Sequence, residues 1–130
     1  MKGAPERAAA VAMFLRVSSE WSLTDRDAGT LLGVEASTVR RWYQHAPRLC
    51  TADCEARAWL LLEIAARGQQ YFGRSPSWLV ASRAELRNGS LLSVMLQGSR
   101  TDLTRALSWL QSFPQTLRQQ VSPAIADRET

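Results

Sequence analysis

Lysine is nearly missing from this chain: Lys2 stands alone, and arginine supplies the rest of the 16 basic side chains. A GC-rich genome explains that bias as easily as a demand for forked, bidentate contacts does. Histidine occurs once, as His45, and cysteine twice, as Cys50 and Cys54. A zinc site needs a fourth ligand and normally a tighter cysteine pair, so these read as two reduced thiols on one helical face, and no metal is expected. No apolar run approaches the roughly 18 residues of a membrane span. The start, MKGAPERAAAVAMFLRV, carries Glu6 and Arg16 around too short an apolar core for a signal peptide, which predicts a cytoplasmic protein without a membrane partner. No nucleophile stands beside a base and no glycine loop could cradle a phosphate, so neither catalysis nor a cofactor is expected. Strand-length alternation bounded by turns is also missing, as is any repeat at a fixed period, and the chain reads as all α.

The 130 residues suffice for one compact domain, or two small ones sharing a core, without a disulfide staple. A formal charge of +4 suits an anionic partner. Charge alone does not choose between nucleic acid, a membrane surface and neither.

The most informative stretch runs from Asp25 to Gln44, DRDAGTLLGVEASTVRRWYQ. Ala28, Leu32, Val34, Val39 and Trp42 have the spacing that lets two steeply crossing helices share a small core. Gly29 is small where the helices approach, and Gly33 ends the first helix in the left-handed conformation that glycine adopts cheaply. Thr24 with Asp27 three residues later forms a capping-box-like start. The second helix offers Glu35, Ala36, Ser37, Thr38, Arg40, Arg41 and Gln44 outward, and Arg can fork onto guanine edges or grip phosphate. These residues predict a DNA-reading helix-turn-helix, a plain structural helix pair being the other reading. Glu35 sits where Ser or Thr would be usual; it could accept from cytosine or repel phosphate.

Ahead of this motif, Ala10, Met13, Phe14 and Val17 predict a helix from Arg7 to Ser18, and Trp21 a core plug. After it, Pro47 marks a turn and Thr51 caps a long helix from Ala52 to about Gln70. Trp59, Leu60, Leu61, Leu62, Ile64 and Ala65 make its apolar surface wider than one stripe, so it should bridge the two halves or pair with its copy in a dimer. Gly73 closes it and Ser75-Pro76 opens a short helix through Ser82. Asn88 and Gly89 mark a tight turn, Ser90 starts a helix from Leu91 to Leu96, and Gly98 stops it. A last helix from about Thr101 to Ser112 turns Leu103, Ala106, Leu107 and Leu110 inward with Trp109 beside them. Pro114 should end it, leaving a short helix near Leu117 and a loose tail.

Taken together, FLRVSSEWSLTDRDAGTLLGV, STVRRWY and ARAWLLLEI resemble the first half of the Xre/MbcA/ParS-type antitoxins. Trp78 and Leu79, then Asn88, Gly89 and Ser90, then Met95, Gly98, Asp102, Leu103, Trp109 and Leu110 resemble that family's toxin-binding domain. The chain departs from the family pattern at Leu91, where a proline is usual, at Ser99, where an acidic residue is usual, and at Glu35, where the cap is usually serine. The resemblance implies a helix-turn-helix bundle over residues 1–50, a connecting or dimerisation helix over 51–73, a toxin-binding domain over 74–114 and a tail over 115–130. It further implies a homodimer that binds operator DNA of its own promoter and neutralises a cognate toxin, most often of the NAD-destroying RES type. Toxin contacts would come from Asn88, Gly89, Ser90, Met95, Gly98, Arg100 and Asp102, a segment ringed by arginines at 83, 87, 100 and 105. The alternative is a stand-alone dimeric repressor with no toxin partner.

Overall fold

The computed structural model describes residues 4–45, 47 and 50–120. Among these residues seven α-helices follow one another: α1 (Ala4–Glu20), α2 (Asp25–Leu32), α3 (Ala36–Gln44), α4 (Ala52–Phe72), α5 (Ser77–Val80), α6 (Leu91–Met95) and α7 (Arg100–Gln120). A single antiparallel bridge, Arg83 with Gly89, is the only strand-like pairing among the described residues. The chain is all α, as its patterning predicts.

Four helix starts are written in the residues next to them. Thr24 Oγ1 accepts from the Asp27 amide at 3.0 Å, and Thr51 Oγ1 accepts from Cys54 at 3.0 Å. Ser90 and Ser93 exchange a full capping box, with bonds of 3.1 Å and 2.9 Å. A second box opens α7: the Asp102 amide donates to Ser99 Oγ at 3.1 Å, and the Asp102 carboxylate accepts from the Ser99 amide at 3.2 Å. Each satisfies amides that a bare helix end would leave without partners. Glu35, by contrast, caps α3 without any side-chain bond.

Helix α4 is the spine. Cys54, Ala58, Leu61, Ile64 and Gly68 form its buried stripe, and it packs against α1, α2 and α7. α4 thus contacts helices from both ends of the chain. Trp59 stays about half exposed, at 45%. One continuous apolar cluster runs from Ala10 on α1 to Leu110 on α7, so both halves share a core. At Gly68 an added Cβ would lie 2.2 Å from the Trp78 indole, which therefore lies directly on the α4 backbone.

The structure corrects several expectations. α1 buries Ala10, Val11, Phe14, Leu15 and Ser18, a stripe centred well away from Met13, which is 49% exposed; at 100° per residue Met13 falls on the opposite side. Pro76 precedes α5 rather than opening it, and α5 ends at Val80, before Ser82. α7 continues through Pro114 to Gln120, taking in the separate helix expected near Leu117. Proline removes one helical donor, and an established helix followed by good formers such as Leu117, Arg118 and Gln119 propagates past that loss. The tail expected beyond Gln120 lies outside the described residues.

Candidate functional site

The helix-turn-helix closes as a tight unit. Gly33 takes φ 75°, and the Val34 amide reaches back to the Gly29 carbonyl at 2.8 Å, the bond that ends a helix in a left-handed cap. Ala28, Leu31 and Leu32 of α2 meet Val39 and Trp42 of α3 in the core, with Val34 half-buried between them. Gly29 is where α2 touches the turn and the start of α3, since a Cβ there would lie 2.6 Å from the Val34 carbonyl oxygen and 3.3 Å from the Ala36 amide nitrogen.

With Val39 and Trp42 facing inward, α3 presents Ser37, Arg40, Arg41 and Gln44 to solvent, with Glu35 exposed at its start and Ala36 and Thr38 half-buried. Four of the seven residues that the sequence singled out for DNA thus share the outer side of one helix, Ala36 and Thr38 lying on its flanks and Glu35 before it. Arg40 is not fully free: its Nε lies 3.4 Å from the Asp25 carboxylate at the start of α2. Such an exposed pair is weak, and a phosphate or base edge can exchange for the carboxylate at little cost. Asp25 and Asp27 sit in the first turn of α2, where they complement the helix dipole.

Behind the turn lies an arginine that sequence reading passed over. Arg57, on the first half of α4, bonds through Nε to Asp53 at 2.9 Å and through Nη1 to the Gly98 carbonyl at 2.8 Å. Its side chain also lies against Gly33, where a Cβ would come within 2.9 Å of Nε. Asp53 holds a second cation, Arg100, at 3.2 Å. Arg57 therefore clasps the reader's turn, the start of α4 and the loop before α7. The four-residue spacing of Asp53 and Arg57 is a helical ion-pair signal, but nothing in the sequence points across 41 positions to Gly98.

The residues expected to face a protein partner divide in two. Asn88 and Arg100 are exposed, and Gly89, Ser90 and Gly98 are half-buried at turns. Met95 is fully buried and Asp102 nearly so. Met95 is a core residue of α6. Asp102 caps α7, and its hydrogen bonds from Ser99, strengthened by Arg105, hold its carboxyl below the usual range. In the turn, Arg87 and Asn88 take φ 56° and 63°. Gly89 closes it at 2.9 Å onto the Leu86 carbonyl and is needed for space, since a Cβ would meet Ser93 Oγ at 2.9 Å.

The two thiols are buried but do not share a helical face, because Cys50 precedes the cap of α4 and Cys54 lies within it. Burial, reinforced by Cys50, pushes the Cys54 thiol up to about 12. No three His, Cys, Asp or Glu side chains converge on a possible metal position among the described residues. None of the described helices is long and apolar enough to cross a membrane.

Residues 4–63 match the family model of the antitoxin Xre-like helix-turn-helix domain. The match takes in α1 to α3, ends within α4, and leaves α5 to α7 outside. A search of curated proteins found no match.

Proposed function

We propose that this chain is the DNA-binding antitoxin of a toxin-antitoxin pair. The observation that carries the reading is the matched helix-turn-helix, whose α3 turns Ser37, Arg40, Arg41 and Gln44 outward from a well-packed turn. α3 enters the major groove of operator DNA at the chain's own promoter, Arg40 and Arg41 supply most of the readout, and a homodimer recognises half-sites about one DNA turn apart. The C-terminal half, outside the matched segment, binds the cognate toxin with Asn88, Gly89, Ser90, Gly98 and Arg100 on its surface. Met95 and Asp102 hold that surface in shape from within. Inhibition works by occlusion, burying on the order of the 1,600 Å² typical of stable complexes. The toxin is of the RES type, and NAD is what it destroys. The antitoxin contributes no catalysis, cofactor or metal.

The test is growth and cellular NAD in a host expressing the neighbouring open reading frame, with and without this chain. Arrest with NAD loss, both relieved by this chain, is the expected outcome. Arrest without NAD loss removes the RES assignment and keeps the antitoxin. A harmless neighbour leaves a stand-alone dimeric repressor. On operator DNA, Ala at a base-reading arginine should cost roughly 1 to 3 kcal/mol and relax sequence preference. A uniform loss across sequences identifies a phosphate contact instead.

A further inference from the structure

Arg83 is held differently from the ion-paired arginines of the fold. Arg40, Arg57, Arg67, Arg100 and Arg105 each face a carboxylate within 4.0 Å. Arg83 faces aromatic rings. Its guanidinium carbon lies 5.0 Å from the centre of Phe72 and 4.8 Å from that of Trp109. The two rings are almost parallel, 8° apart in plane at 6.5 Å, and Phe113 packs against both. Arg83 Nε is buried with no hydrogen-bond acceptor among the described residues. Nε is thus shut away, but the guanidinium as a whole is only half-buried and has no ion pair among the described residues, which leaves its outer edge to an anion.

The backbone holds this cation in place. The Arg83 amide donates to the Gly89 carbonyl at 3.0 Å, and its carbonyl accepts from Leu86 at 3.0 Å and Asn88 at 2.9 Å. Two non-glycine residues in left-handed conformation, Arg87 and Asn88, make the turn that brings Gly89 back to it. Local strain of this kind costs energy and is characteristic of sites where one group must be held still.

We propose that Arg83, on its shelf of Phe72 and Trp109, is the receiving site for a carboxylate side chain of the partner protein. This rests on the reading that the C-terminal half binds a protein partner. An arginine preorganised among aromatic rings is the composition of an interface anchor. An Asp or Glu set in an apolar surface fits it: the carboxylate takes the fork and its apolar surroundings cover the rings. The turn at Asn88 and Gly89 then acts through Arg83, as a positioning device, rather than by its own contact alone.

The experiment measures affinity of the full chain for the neighbouring gene's product, purified as an inactive variant, against Arg83→Ala and Arg83→Lys, with thermal melts of each alone. Arg83→Ala is expected to weaken binding roughly 30-fold or more, the loss typical of a hydrogen-bonded interfacial charge. Arg83→Lys should recover only part, having charge without the planar fork. Changing the partner's exposed Asp and Glu residues one at a time to amides should reveal one whose loss matches that of Arg83→Ala and does not add to it. Wild-type affinity in both Arg83 variants overturns the site while leaving the antitoxin reading intact. No binding by the unaltered chain overturns that reading and this site together. Two further results also overturn the site. One is a loss of operator binding in Arg83→Ala equal to its loss of partner binding. The other is a melt in which Arg83→Ala and a neutralised Asp127→Asn, Glu129→Gln pair prove non-additive, placing the chain's own carboxylates on the shelf.

Discussion

Replacing Gly29 by alanine sets two known effects against each other at the reader's tightest point. Alanine inside a helix is favoured over glycine by about 1 kcal/mol. Here the new Cβ would lie 2.6 Å from the Val34 carbonyl oxygen and 3.3 Å from the Ala36 amide. The obstacle is backbone rather than a side-chain tip, so it cannot swing aside, and the turn at Val34, with the start of α3 behind it, must move away from α2 by about 0.8 Å to restore an ordinary 3.4 Å contact. Overpacking of this sort costs about 1 to 3 kcal/mol, and an immovable wall argues for the upper end. The net expectation is a loss of about 2 kcal/mol, or about 8 °C in melting temperature for a chain of this size. Displaced arginines should also bind operator about tenfold more weakly, one good base contact's worth. Gly73→Ala is the control: nothing lies within 4 Å of its Cβ position, but φ is 87°, so backbone strain alone should destabilise by about 1 to 3 kcal/mol without touching operator affinity. A Gly29→Ala protein that melts at or above the wild-type temperature and binds operator normally would refute the close-approach argument.

Gly68→Ala should destabilise by about 1 to 3 kcal/mol despite its helical gain, because the Trp78 indole must leave the α4 backbone; a shift in tryptophan fluorescence before unfolding would show it. Asp102 has a depressed pKa, so its contribution to stability is present above the ordinary carboxylate range and is lost as pH falls through the folded value. Urea titrations from pH 6 to pH 2 should therefore show a steeper acid decline in the wild type than in Asp102→Asn. Cys54, raised to about 12 from 9.0, gives the opposite sign: the fold retains a proton that the unfolded chain releases, and stability should fall as pH rises above 9.0. At pH 8, iodoacetamide should leave both thiols untouched in the native protein and label them in urea.

Features fixed by side chains three or four positions from the backbone they serve were legible in the sequence. Thr24, Thr51 and Ser90 cap the helices they were expected to cap, and Gly33 turns the chain. Asp102 was legible as special but not in its role, because its capping partner Ser99 looked like a departure from pattern rather than a reason for it. Met13 misled because Ala10, Met13, Phe14 and Val17 also fit a helical stripe, and only packing shows that the buried one runs through Val11, Leu15 and Ser18 instead of Met13. Gly89 drew attention as the turn glycine, whereas the left-handed residues are Arg87 and Asn88. Least legible were contacts between distant positions: Arg57 with Gly98, and Arg83 with Phe72 and Trp109, which local spacing cannot encode.

The Arg57 clasp bears on how such a chain can be rebuilt by recombination. The recognisable domain stops at residue 63, in the middle of α4, yet Arg57 before that boundary holds the Gly98 carbonyl after it. A crossover at the boundary would graft a foreign loop onto an arginine shaped for this one and a foreign α7 onto a stripe cut for its own. The two ends of the chain are therefore fitted to each other, and a swap of everything after residue 63 should destabilise the product unless the Arg57 and Gly98 contact is carried over with it.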